Sequence, residues 1–132
     1  MNSQPDAGRS ILIIEDDELI RRAMQMVLEW EGYHVSCVNN GQEALDALRS
    51  GERPALILLD VMMPVLDGQQ FRQEQLRDAS LAAIPVIVVS AASFAEAVNA
   101  AYHVRKPFEV QELLDAIHHQ VGPSAKIANQ GS

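Results

Sequence analysis

Asp60 is the residue around which a chemical site is most readily built from this sequence. It comes directly after an unbroken apolar run, Leu56 to Leu59, and is followed by Pro64 and an Asp-Gly pair. Such a run is typical of a strand buried on both faces, as in a parallel sheet covered by helices. A carboxylate at the carboxyl end of that strand would lie where open α/β sheets bind their ligands. By itself, Asp60 is explained at least as well as a cap for the following segment.

Four other polar residues follow apolar stretches elsewhere in the chain. Because the carboxyl ends of parallel strands meet at one edge of a sheet, we expect all four to lie near Asp60. They are Glu15 and Asp16 after the stretch 11–14, Ser90 after 86–89, and Lys106 after 102–105.

These residue types together predict phosphoryl chemistry. Three carboxylates at one point repel each other unless a cation lies between them, and an open site with oxygen ligands suits magnesium. Lys106 adds a positive charge and Ser90 adds a hydroxyl donor, so both could neutralise a phosphoryl group on Asp60. Aspartate is a known nucleophile for phosphoryl transfer, in which most of the catalysis is stabilisation of charge.

Each of these residues also has a purely structural explanation. Glu15 and Asp16 could begin a helix, whose dipole favours acids at that end. Ser90 could be an ordinary helix cap, and Lys106 could be a solvated loop residue. All of these explanations would have to hold at once, each at the carboxyl end of a strand, which favours a shared site.

The composition limits the class of protein. With 132 residues the chain has room for one domain, and its 18 acidic against 10 basic residues give a net charge of −8. This balance argues against direct binding of nucleic acid, which needs a basic face. The single cysteine, Cys37, excludes an internal disulfide and fits a reducing, cytoplasmic location. No apolar run approaches the ~20 residues of a membrane span, so we expect no membrane association.

The two ends of the chain differ in composition from its middle. Residues 1–9 are polar and lack the apolar centre of a secretory signal, and we expect a disordered lead-in. Residues 122–132 contain glycine, proline, serine and asparagine, and we expect a flexible tail. Residues 10–121 then form one domain.

Apolar stretches and helical patterns alternate five times along this domain. Leu19, Ala23, Met26, Val27 and Trp30 recur at helical spacing in the first helix, and Gly32 follows as a stop. With right-handed crossovers, the alternation predicts a doubly wound, five-stranded parallel sheet with helices on both faces. The strands are expected near 10–14, 34–38, 56–59, 86–89 and 102–105.

Two of the later helices carry more specific expectations. A loop over 64–68 should precede a helix that contains Phe71, Leu76 and, more loosely, Leu81. The segment 94–100 is expected to form a short, alanine-rich helix.

Four motifs, in this order along the chain, resemble the receiver domain of bacterial two-component response regulators. The resemblance covers roughly residues 10–121 and implies the flavodoxin-like receiver fold. The central motif, with its Met-Pro and Asp-Gly, is specific; the others are weak alone and strong together. The motifs are Ile-Leu-Ile-Ile-Glu-Asp-Asp at 11–17, Asp-Val-Met-Met-Pro-Val-Leu-Asp-Gly at 60–68, Pro-Val-Ile-Val-Val-Ser-Ala at 85–91 and Lys-Pro-Phe at 106–108.

The resemblance implies a role for each candidate residue. Asp60 would be the phosphoacceptor, and Ser90 and Lys106 would contact its phosphoryl group. The magnesium ligands would be Glu15, Asp16, Asp60 and the backbone carbonyl of Met62.

Two features depart from the family pattern. Receivers usually carry Tyr or Phe three residues before the lysine, as a rotameric switch that follows the Ser/Thr; here that position is His103. We expect Ser90 and His103 to form the switch, although His103 could equally be a partly exposed histidine without that role. The segment between Ser90 and Lys106 is shorter than the family normally has, which predicts a short or irregular fourth helix.

The resemblance implies a phosphorylation-dependent signalling switch. A sensor histidine kinase or a histidine phosphotransfer protein would supply the phosphoryl group, and the partner-binding face would then change for an unknown downstream protein. The chain would be no enzyme beyond its magnesium-dependent self-phosphorylation and self-dephosphorylation.

Two other functions remain open. The first is a pseudo-receiver, an interaction module that is never phosphorylated, which His103 and the short fourth helix make conceivable. The second is an aspartyl phosphatase of the haloacid dehalogenase type. Those enzymes place a second acid two residues after the nucleophile, where this chain has Met62.

Overall fold

The central feature of the computed structural model is a parallel sheet of five strands. The structure describes residues 10–60, 65–91, 102–106 and 109–121. The strand order is β2-β1-β3-β4-β5, and every neighbouring pair is parallel. This arrangement confirms the predicted doubly wound sheet. The strands are β1 (Ser10–Ile14), β2 (His34–Val38), β3 (Leu56–Asp60), β4 (Val86–Ala91) and β5 (Tyr102–Lys106).

Helices cover both faces of this sheet. Alternate residues of β1 and β3 point to opposite sides, as the period of a strand requires. Leu12 and Ile57 pack with the helices α2, α3 and α4, whereas Ile11 and Leu56 pack with α1 and α5. The helices are α1 (Glu18–Trp30), α2 (Gly41–Arg49), α3 (Val65–Arg77), α4 (Ala79–Ala82) and α5 (Val110–Val121).

Helix α1 forms where its spacing predicts, but its apolar stripe is largely exposed. Leu19, Met26 and Trp30 are 79%, 71% and 74% exposed. The core side of α1 consists of Leu28, which is fully buried, with Met24 and Val27 packed partly against the same cluster. The helix therefore carries two apolar stripes, and the sheet covers only one of them.

Gly32 follows the end of α1 as predicted, and Asn40 lies at the start of α2. Gly32 has a φ of 99° just after α1, which a residue with a Cβ adopts only with strain. Asn40 caps α2 by accepting a 2.9 Å hydrogen bond from the N–H of Glu43. The Glu43 carboxylate in turn accepts from the N–H of Asn39 at 2.8 Å, so the reciprocal bond reaches one residue before the cap.

The helix after β3 differs from the prediction at both ends. It begins at Val65, so Asp67 and Gly68 lie in its first turn rather than in a loop, a position where the helix dipole favours an acid. It ends at Arg77, and the predicted continuation to Leu81 is a separate short helix, α4. The break occurs because Asp78 is extended and its carboxylate accepts from the N–H of Ser80 at 2.9 Å, which caps α4.

Some expectations fall on residues outside the described ranges. These are the disordered lead-in 1–9, the short helix over 94–100 and the flexible tail 122–132. Within the described ranges, no helix combines the length and the apolar character needed to span a membrane.

Candidate active site

The register of the sheet brings the predicted site residues to one edge. Ile14 pairs with Leu59, so Glu15 and Asp60 are the next residues of neighbouring strands. Asp60 pairs with Val89, the residue before Ser90. Lys106 pairs with Ala91, the residue after Ser90. All five candidates therefore lie at, or within two residues of, the carboxyl ends of β1, β3, β4 and β5. For Asp60, Ser90 and Lys106 the structure describes the strand positions, and their side chains lie outside the described set.

Glu15 is held firmly at this edge. It is buried, with 1% exposure, and its N–H donates to the carbonyl of Val38 at 3.1 Å. Its carboxylate accepts from the N–H of Asp17 at 3.0 Å. A buried carboxylate in this position is pre-organised, because its backbone is tied to β2 and its side chain to the following loop.

The three consecutive acids have different surroundings, and we call the segment Glu15–Asp17 the acid loop. Asp16 is exposed. Asp17 caps α1, accepting from the N–H groups of Leu19 and Ile20 at 2.9 and 3.1 Å. The Asp17 carboxylate therefore caps α1, and Glu15 and Asp16 are the acids of this loop that could bind a metal ion.

Arg21 contacts the acid loop and is held in turn by Asn39, and neither contact was predicted from the sequence. Nη1 of Arg21 donates to the carbonyl of Glu15 at 3.0 Å and to Oδ1 of Asn39 at 2.7 Å. Arg21 lies one helical turn beyond the cap Asp17, and Asn39 lies immediately after β2. The only local signal for this contact was an arginine one turn into the helix that follows the acids.

The donor set fits a hard divalent cation. Glu15 and Asp16, which follow β1, would supply carboxylate oxygens, and Asp60, at the end of the neighbouring strand β3, would supply a third. Oxygen ligands of this kind suit magnesium. Among the side chains that the structure describes, no three His, Cys, Asp or Glu residues form a metal-binding group. Completing the set requires Asp60, and the predicted carbonyl ligand Met62 lies outside the described ranges.

His103 occupies a position in β5 opposite Val88, three residues before Lys106. Its switching role stays a prediction.

Cys37 is no second nucleophile of this site. It lies in β2, and its Sγ donates to Oε1 of Gln25 at 3.5 Å. Burial raises the pKa of the Cys37 thiol above its ordinary value of 9.0. The thiolate is therefore scarce near neutral pH, as for a structural cysteine.

Comparison with known proteins identifies relatives over most of the chain. The family model of the response regulator receiver domain matches residues 11–118. The transcriptional regulatory protein YkoG of Bacillus subtilis is 42% identical over 113 residues, covering 81% of this chain and 48% of YkoG. The response regulator MprA of Mycolicibacterium vanbaalenii is 38% identical over 110 residues, covering 79% of this chain and 46% of MprA. This chain thus spans about half the length of these relatives.

Solved structures show the same fold. The receiver domain of the sensor histidine kinase PA1611 from Pseudomonas aeruginosa, with a magnesium ion in its active site cleft, has a TM-score of 0.78 and 26% identity, covering 88% of this chain and 99% of that domain. The receiver domain of a histidine kinase from Syntrophus aciditrophicus has a TM-score of 0.77 and 30% identity. The match covers 85% of this chain and 89% of the Syntrophus chain. The sheet order, the acids at its carboxyl edge and the match over residues 11–118 agree. This chain belongs to the response regulator receiver domain family.

Proposed function

We propose that Asp60 is the phosphoacceptor of this receiver and that the chain is a phosphorylation-dependent switch. Receivers of response regulators are phosphorylated on an aspartate in two-component signalling. The observation that supports Asp60 is the pairing of Ile14 with Leu59, which sets Asp60 beside the buried Glu15. Among the candidate acids, Asp60 alone ends the central strand of the sheet.

The phosphoryl donor is a phosphohistidine of a sensor histidine kinase or a histidine phosphotransfer protein. A carboxylate oxygen of Asp60 bonds to phosphorus while the phosphorus–nitrogen bond breaks. The electron pair stays on the imidazole nitrogen of the donor, which takes up a proton. The product is an aspartyl phosphate, and its later reaction with water returns the carboxylate and inorganic phosphate.

In phosphoryl transfer, some residues of this chain position the reacting groups and others balance the charge. Glu15, Asp16, Asp60 and the Met62 carbonyl would hold magnesium, which would supply positive charge to offset that of the transferring phosphoryl group. Glu15 brings its carboxylate already ordered, because Asp17 and Val38 fix both its ends. Lys106 and Ser90, at neighbouring positions of β5 and β4, contact the phosphoryl group and balance its charge.

Phosphorylation is then read by a partner protein. Ser90 moves toward the phosphoryl group, and His103 on the adjacent strand changes its rotamer when Ser90 moves. These two movements change the face that the downstream protein binds. The composition, with a single cysteine, supports a cytoplasmic setting for this exchange.

Mass measurement after incubation with acetyl phosphate and magnesium tests the proposal. We expect one labile phosphoryl group on the wild-type chain and none on Asp60→Asn, which keeps the size of the side chain and removes the nucleophile. Asp46→Asn, on the exposed side of α2, is the matched control and should be phosphorylated like the wild type.

The other outcomes identify the alternatives. A wild-type chain that takes up no phosphoryl group at any magnesium concentration would be a pseudo-receiver. Sustained release of phosphate from simple phosphate monoesters would instead indicate a phosphatase. A phosphoryl group retained by Asp60→Asn would contradict the assignment of Asp60.

A further inference from the structure

We infer that Arg21 is a positioning residue for the metal-binding acids, acting through the backbone of the acid loop together with Asn39. This inference rests on the proposed function, because it concerns how the proposed magnesium site is held. Arg21 is on the first full turn of α1 and is half-buried.

The contact is made by a single nitrogen with two acceptors. Nη1 of Arg21 donates to the Glu15 carbonyl at 3.0 Å and to Oδ1 of Asn39 at 2.7 Å. A guanidinium nitrogen carries two hydrogens in a fixed plane, so the two acceptors set the direction of the side chain. The backbone N–H of Arg21 also donates to the carbonyl of Asp17 at 2.9 Å, which ties the same residue to both ends of the acid loop.

Asn39 is itself held in place. Its N–H donates to the Glu43 carboxylate at 2.8 Å, and Glu43 is fixed by the cap of α2 at Asn40. The Arg21–Asn39 bond therefore joins α1 to the end of β2 and the start of α2. The acid loop lies between these elements and is connected to both.

Of the two acceptors, the Glu15 carbonyl is the one that connects Arg21 to the orientation of the metal-binding acids. It belongs to the peptide group that joins Glu15 to Asp16, and that group is planar. A hydrogen bond that orients this plane sets the starting direction of both carboxylate side chains. Arg21 thus acts on the two proposed ligands that follow β1 through their backbone, and none of its described contacts is to either carboxylate.

If Arg21 acts only through its charge, its removal should change magnesium affinity in one direction; if it acts by positioning the acid loop, the change should be in the opposite direction. Loss of a positive charge near a cation site, by electrostatics alone, should tighten magnesium binding. Loss of a positioning contact should weaken it, and outer-shell partners typically contribute about 10-fold to 100-fold in metal affinity. The direction of the change therefore separates a positioning role from a general effect of charge.

The experiment compares three variants of the full chain by calorimetric titration with magnesium chloride. Arg21→Met removes the charge and both hydrogen bonds, whereas Asn39→Leu removes one acceptor without changing the charge. Arg22→Met is the matched control, since Arg22 is the next residue of α1 and pairs with Glu18 in an exposed ion pair. Urea unfolding of each variant and amide hydrogen exchange of Asp16 and Asp17 without metal are measured alongside.

We expect Arg21→Met to bind magnesium about tenfold more weakly, and Asn39→Leu to bind more weakly in the same direction. Both should exchange the amides of Asp16 and Asp17 faster while the rest of the chain stays folded. Arg22→Met should bind within about twofold of the wild type, because salt screens an exposed charge.

Magnesium binding by Arg21→Met that equals or exceeds that of the wild type would overturn the inference, while a wild-type chain phosphorylated on Asp60 would leave the proposed function intact. A wild-type chain that neither binds magnesium nor accepts a phosphoryl group would overturn both. If Arg21→Met does not fold, the inference is tested by Asn39→Leu alone. Magnesium affinity equal to that of the wild type in Asn39→Leu would then reject the positioning role.

Discussion

Ile14 of β1 lies beside Leu59 of β3 in the parallel register, so Glu15 and Asp60 leave the sheet from neighbouring strands. Neighbouring strands are roughly 4.8 Å apart, which brings two acidic positions close together at the carboxyl edge. Asp16 adds a third acid one residue further on. The arrangement concentrates negative charge at the proposed cation site, and the carboxylates repel each other when no cation is bound.

The first prediction follows from this crowding. Asp16→Ala removes a proposed ligand and one of the repelling charges, so magnesium affinity should fall while the free energy of unfolding stays equal or rises. Calorimetry and urea unfolding measure the two quantities. Calorimetry is preferred to the fluorescence of Trp30, which lies at the far end of the 13-residue helix α1, about 20 Å away.

Asp17→Ala provides the contrast for Asp16→Ala. Asp17 caps α1 through Leu19 and Ile20, so its loss should lower the free energy of unfolding by about 1 kcal/mol. Equal magnesium affinity in wild type and Asp16→Ala would show that the acid pair is not the metal site.

The second prediction concerns Gln75, a fully buried polar side chain. Its Nε2 donates to the carbonyls of Leu81 and Ile84 at 2.9 and 3.0 Å, and its Oε1 accepts from Arg72 at 2.7 Å. These bonds connect α3 to the chain that enters β4, the strand that ends near Ser90. Gln75→Met keeps a similar shape but removes all three, and should lower the free energy of unfolding by about 2 kcal/mol.

Gln73→Met is the control for Gln75, because Gln73 lies on the exposed side of the same helix. Its free energy of unfolding in urea should change by less than about 0.5 kcal/mol. Similar losses in both variants would mean that the buried hydrogen bonds of Gln75 contribute nothing specific.

The strands and the site edge could be predicted from the sequence because their signals are local. Four apolar residues followed by an acid identify both a buried strand and its end, as at Leu56 to Asp60. The side of α1 that meets the sheet could not be predicted in the same way. Two apolar stripes wind around this helix, and only packing chooses Leu28 over Met26 for the core.

The contact of Arg21 with Asn39 was beyond prediction for another reason. The two residues are 18 positions apart, and they meet only because β2 lies beside β1 in the folded sheet. The break between α3 and α4 depends on the local hydrogen bonds from Ser80 to the Asp78 carboxylate, which compete with helix continuation. Helical periodicity carries no information about that competition.

The third prediction is a pH dependence at Asp78. The hydroxyl and then the backbone N–H of Ser80 donate to its carboxylate, and they hold the pKa of Asp78 below its ordinary value of 3.8. A carboxyl with a lowered pKa adds stability that is present above pH 3.8 and is lost as the pH falls through the folded-state pKa. The stability difference between wild type and Asp78→Asn should therefore shrink below about pH 4.

Urea unfolding of both chains between pH 2 and 6 measures this difference, in which the titration of the other acids cancels. Ser80→Ala removes the hydroxyl donor and should reduce the same pH-dependent part. A difference between wild type and Asp78→Asn that stays constant with pH would reject the assignment.

The last prediction concerns how long the phosphorylated state lasts. Hydrolysis of an aspartyl phosphate needs a water molecule in line with the bond that breaks, and orientation is a large part of such barriers. In receivers, the side chains two residues after the phosphoacceptor and two after the Ser/Thr flank this approach; here they are Met62 and Ala92. Neither side chain has a hydrogen-bond donor or a strong acceptor that could hold the water. We therefore expect slow self-dephosphorylation.

Met62→Asn introduces an amide that can orient the attacking water. A gain of one hydrogen bond in the transition state, ~1 kcal/mol, corresponds to a several-fold faster decay. The decay of the phosphorylated chain is followed by mass measurement in excess magnesium for the wild type and the variant. Met63→Asn makes the same chemical change one residue further along and should decay like the wild type. If Met62→Asn decays no faster than Met63→Asn, water orientation at this position does not limit the reaction, and Lys106 or the metal geometry sets the lifetime instead.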